Sequence, residues 1–146
     1  MILLQDIKER KVYWFLFPTV GLCAGILFHQ NTWDQLFYTS VSINFSFVSI
    51  LLLTILIYSK LKLKTSISKT FGLGDGMLFL ALIFSFPSVT FIVFLVFGLI
   101  FSLLLHLFLK KKSEHQTVPL AGYLSLFFTV AYLAYWSGFL KSVYTI

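Results

Sequence analysis

The stretch FGLGDGMLFLALIFSFPSVTFIVFLVFGLIFSLLLHLFL, residues 71–109, holds 39 residues and one formal charge, Asp75. As a single helix it would run about 58 Å at 1.5 Å per residue. That is nearly twice the ~30 Å hydrocarbon thickness of a bilayer. The chain must therefore turn back inside it. Phe86-Pro87-Ser88 is the natural place, because Pro87 lacks an N–H and disfavours helix at the residue before it. The stretch is predicted to form a short helix over about residues 74–86 and a long one over 89–109.

The rest of the chain fits this reading. Of its 146 residues, 59% are hydrophobic and 11% charged, and the mean hydropathy is +0.95. Globular chains are about one-quarter charged, so a soluble domain would not hide this much apolar surface. Eighteen Phe and seven Tyr suit lipid-facing and interfacial positions. Further apolar spans lie at residues 12–28, with Pro18 a candidate kink, at 36–58, and at 120–140, just after Pro119. The predicted fold is an all-α polytopic membrane protein, a bundle of about five transmembrane helices in one domain over residues 1–146.

Charge placement supports that count. Lys8, Arg10 and Lys11 precede the first span, Lys60, Lys62, Lys64 and Lys69 follow the second, and Lys110, Lys111 and Lys112 follow the fourth. Five spans with a cytoplasmic N-terminus put ten of the eleven basic residues on the cytoplasmic side, Lys141 being the exception. The net charge of +6 thus reads as membrane orientation and lipid contact, and no nucleic-acid partner is expected. The N-terminal MILLQDIKERK places three apolar residues ahead of its charges, so no cleavable signal peptide is expected. The single cysteine, Cys23, excludes an internal disulfide and a cysteine-based zinc site.

The same topology places the acids. Asp34 falls outside, while Asp6, Glu9, Asp75 and Glu114 fall at the cytoplasmic face. Asp6 and Asp75 adjoin apolar sequence most closely and would sit at one depth. Two carboxylates about 3 Å apart cannot both ionise and share a proton. One then serves as general base on water and the other as general acid on a carbonyl oxygen, with no metal or cofactor required. The plainer alternative is that Asp75 caps or complements a helix N-terminus and that Asp6 is one solvated charge among QDIKERK. Gly72, Gly74 and Gly76 are either turn glycines or positions that let backbone approach a substrate closely.

GLGD at residues 72–75, opening an apolar helix, resembles the GxGD motif of intramembrane aspartyl proteases. QDIKERKVYW at residues 5–14 resembles the segment carrying the first aspartate of type IV prepilin peptidases. VPLAGYLSLFF at residues 118–128 resembles that family's proline-led last helix. The order and small size are similar to prepilin peptidases rather than to presenilin or signal peptide peptidase. The resemblance implies an Asp6/Asp75 catalytic dyad, with Gly72, Gly74, Gly76 and Pro119 as motif or substrate-approach residues. It also implies the bacterial cytoplasmic membrane as location. The partners would be prepilin or pseudopilin precursors, whose basic leader is cut on the cytoplasmic side. The sequence departs from the family at several points. It has no cytoplasmic domain with paired CxxC motifs, so cleavage without N-methylation is expected. Gly76 and Met77 stand where a lysine is usual, and VYW stands where Ile-Pro is usual. Members have six helices; here only MILLQ precedes Asp6. Either another element substitutes for that helix or the start of the chain is missing.

Other polar residues have bland readings. His106 is expected to snorkel, His29 and His115 to sit in loops, and Asn44 to hydrogen-bond between helices. Trp14, Trp33 and Trp136 read as interfacial anchors. Three functions compete. The first is an active prepilin-type peptidase. The second is a catalytically degenerate relative acting in assembly or binding. The third is a transporter subunit using Asp75 as a proton relay, which would require an aspartate deep in a span.

Overall fold

The computed structural model describes Ile2, Asp6 and residues 13–63, 72–109, 120–140 and 143–144. Among these residues there is no strand. The helices are α1 (Leu16–Gln30), α2 (Asp34–Tyr58), α3 (Leu73–Leu82), α4 (Ser88–Leu109) and α5 (Leu120–Trp136), with a π-helical turn at Ser59–Leu63 after α2. Ile2 and Asp6 are also helical, and both are buried. Two segments, Asp34–Leu61 and Ser88–Phe108, are long and apolar enough to cross a membrane. The others are shorter: α1 has 15 residues, α5 has 17 and α3 has 10, so α3 rises only about 15 Å.

Pro18 is no kink. It lies in the first turn of α1, where its missing N–H would have had no intrahelical partner. The helix accordingly starts at Leu16, later than the apolar run suggests. His29 belongs to the last turn of α1 rather than to a loop, and its Nε2 lies 3.2 Å from Oδ1 of Asp34, which opens α2.

The turn at Pro87 forms as expected. α3 ends at Leu82, and Pro87 accepts the Phe91 N–H at 2.8 Å as α4 begins. A proline at position 87 leaves the carbonyl four residues back, that of Ile83, without its helical donor. Asn44 of α2 supplies the replacement. Its fully buried side-chain amide donates to Ile83 O at 3.1 Å and to Phe86 O at 3.0 Å. Phe86 is itself completely buried and stacks with Phe128, Tyr132 and Tyr144. Tyr132 donates to Ser85 O at 3.4 Å, and Ser88 to Ser40 O at 3.4 Å. The α3–α4 turn, the start of α2 and the end of α5 therefore share one end of the bundle.

α4 packs along α5, with Gly98 of α4 opening space for Leu124 and Phe127. α1 packs along α3 in the same direction. Phe17 meets Gly74, Gly21 meets Ala81, and Gly25 meets Phe84, in rising order along both helices. A side chain on Gly21 would come within 3.2 Å of the Ala81 backbone, so it would press the two segments apart by a few tenths of an ångström. His106, in the last turn of α4, is buried at 8% exposure. It does not snorkel, because that face of the helix is covered.

Candidate active site

The opposite end of the bundle gathers the N-termini of α1, α3 and α5. Gly72 is the N-cap of α3, with φ −67° and ψ 136°, and its carbonyl accepts the N–H groups of Asp75 at 3.1 Å and Gly76 at 3.3 Å. Asp75 lies in the first turn of α3, where a negative charge complements the helix dipole. Its side chain also reaches another helix. Oδ1 of Asp75 accepts the backbone N–H of Ala121 at 2.7 Å.

Asp6 does the same at the next residue. Its Oδ2 accepts the N–H of Gly122 at 2.7 Å, in a bond that is itself buried. The two aspartates, 69 positions apart in the chain, therefore dock on consecutive amides in the first turn of α5. Adjacent backbone nitrogens lie under ~4 Å apart, so those two carboxylate oxygens are held within about 9 Å of one another. Were both ionised, two carboxylates this close would repel. The N-terminus of α5 offsets that repulsion with two donors and the positive end of its dipole.

The glycines have definite neighbours. A Cβ on Gly72 would sit 3.1 Å from Oδ2 of Asp75, so the absence of a side chain there makes room for the carboxylate. The φ of Gly72 is one any residue adopts, so space and not backbone freedom is the reason. A Cβ on Gly74 would rest 3.5 Å from the Phe17 ring, which puts α1 directly beside the site. Gly76 is half-buried. Pro119 lies outside the described residues, as do the basic clusters at residues 8–11 and 110–112 and His115.

Asp6 is 9% exposed, whereas Asp75 is half-buried and reachable from outside. Neither sits at mid-helix depth, as a proton relay through the bundle would require. Among the described residues no three His, Cys, Asp or Glu side chains cluster to hold a metal ion. The residues missed in the sequence are Ala121 and Gly122, whose amides hold both carboxylates. A backbone donor leaves no signature in residue type. The chain matches no family model, no curated protein and no solved structure.

Proposed function

We propose that this chain is a membrane aspartyl endopeptidase of the prepilin peptidase kind, with Asp6 and Asp75 as its catalytic pair. The observation that carries the reading is the docking of both carboxylates on the adjacent N–H groups of Ala121 and Gly122. A water between the carboxylates would lose a proton to the ionised one as its oxygen attacks the scissile carbonyl carbon. The protonated partner would give its proton to the carbonyl oxygen, forming a neutral diol. The first carboxyl then gives its proton to the leaving nitrogen while a diol hydroxyl returns its proton to the partner carboxylate; the C–N bond breaks as the C=O re-forms, and the pair again holds one proton. The pair titrates as a unit, so the acid and base roles belong to the pair.

In this reading the chain is polytopic, with about five membrane segments, and lies in the bacterial cytoplasmic membrane with both aspartates on the cytoplasmic side. Ten of eleven basic residues fall on that side under this topology. The substrates are prepilin-like precursors with a basic leader ahead of an apolar helix. A second reading rests on the same bonds. Two carboxylates on helix amides also make a cap, so a degenerate peptidase would keep the geometry as structure and act in assembly or binding.

The test is to reconstitute the full chain in vesicles with a leader-bearing prepilin precursor and to weigh the products by mass spectrometry. The peptidase reading expects a shortened precursor and a free leader. Intact precursor from well-folded protein would decide for the degenerate reading.

A further inference from the structure

An apolar cleft of about 740 Å³ runs between α1 and α3. One wall is Pro18, Leu22 and Ile26 of α1, and the other is Met77 and Leu80 of α3 with Phe84 of the turn that follows it. Each wall is a row at helical spacing, and the two helices run parallel, so the cleft is a groove of the kind into which a third helix packs its ridge. Leu22 is 69% exposed and Leu80 44%, and nothing from the described residues covers them.

The cleft is continuous with the candidate active site. Phe17 lines its near end and also packs on Gly74, the neighbour of Asp75. His29 and Gln30 line its far end. Between those ends it is about 18–20 Å long at 1.5 Å per residue, or more than three helical turns, with a mean cross-section of roughly half that of a helix 10 Å across. That is the space for a helix seated halfway, and more than one extended acyl chain fills. A substrate cut at the carboxylates while its apolar helix stays in the bilayer needs an apolar surface that begins beside them and leads away along the bundle. Among the described residues the α1–α3 cleft is the cavity that starts beside Asp75 and runs the length of α1.

We infer that the α1–α3 cleft is the docking groove for the substrate's apolar helix, which it holds with the scissile bond at Asp6 and Asp75. This rests on the peptidase reading. It assigns a specificity role to Leu22 and Leu80, which touch neither carboxylate.

Photo-crosslinking tests it separately from catalysis. Benzoylphenylalanine is placed at Leu22 or Leu80 of the full chain in vesicles, or at Ile50 and Phe97 as controls, which are 64% and 59% exposed on other faces. A prepilin precursor with a labelled apolar helix is added; adduct is scored in the substituted chains and cleavage in the unsubstituted chain run in parallel. The expected result is at least tenfold more precursor adduct from Leu22 and Leu80 than from the controls. Cleavage without that enrichment overturns the groove and leaves the peptidase standing. Enriched adduct without cleavage overturns the peptidase reading and with it the scissile-bond part of the inference, while helix docking in the cleft stands. Absence of both overturns both. An adduct with lipid alone, or with a second copy of this chain, overturns the groove.

Discussion

The two ends of this bundle solve a similar problem with different chemistry. At the Pro87 end, backbone carbonyls lack helical donors, and one neutral amide, Asn44, satisfies two of them while fully buried. At the Asp75 end, backbone N–H groups of α5 lack acceptors, and two carboxylates satisfy one each. Capping alone needs a single Ser, Asn or Asp. Two acids on adjacent amides are more than a cap requires, and burying charge is costly where a neutral group would serve. One of the two, Asp75, also stays reachable from outside. The Asn44 end is closed and structural, whereas the aspartate end retains the groups that water chemistry needs.

Substitutions can break that contrast. Short of removing a carboxylate, the largest effect is expected from Asp75→Glu, which keeps the charge and moves the carboxylate by one methylene. A displacement of about 1 Å costs on the order of 100-fold when groups must be aligned, so leader cleavage should fall about that far while thermal stability in detergent stays near wild type. Loss of stability with unchanged cleavage per folded molecule would make Asp75 a cap. Asn44→Leu should show the opposite pattern. It orphans the buried carbonyls of Ile83 and Phe86 and should destabilise the fold by about 2–4 kcal/mol. Cleavage per folded molecule should stay within about twofold, since the change lies at the far end of the bundle.

Gly72→Ala sharpens the comparison within the site. Its φ of −67° accepts alanine, but the new methyl would lie 3.1 Å from Oδ2 of Asp75. The carboxylate must yield by a few tenths of an ångström, and cleavage should drop several-fold, up to about tenfold, with no shift in melting temperature. The smallest effect belongs to His29→Gln. The His29–Asp34 pair is exposed, such pairs contribute under ~1 kcal/mol, and neither melting nor cleavage should change measurably.

Part of the fold was legible: the described residues are helical without strands, and two segments are long and apolar enough to cross a membrane. An apolar run of 39 residues had to fold back, and Pro87 was the place. Helix ends were less legible. Pro18 read as a kink because its position within the helix depends on where α1 starts, and that is set by the turn at Tyr13–Phe15. The burial of His106 depends on how α4 packs against its neighbours, which the local run LLLHLFLKKK does not encode. Asn44 was recognisable as a polar residue seeking a partner, but its acceptors, Ile83 O and Phe86 O, are backbone atoms. The site shows the same limit. Asp6 and Asp75 stood out as acids beside apolar sequence, whereas the amides of Ala121 and Gly122 that bring them together belong to residues with no chemistry in their side chains.

The most direct test is leader cleavage by Asp6→Asn and Asp75→Asn, each in vesicles at wild-type protein level with the same prepilin precursor. Asparagine keeps an oxygen to accept the α5 amide, so the cap survives and the acid–base function does not. Each single substitution is expected to lower cleavage by at least about 1,000-fold, with helix content and melting temperature retained. Wild-type cleavage that persists in either variant would contradict the account.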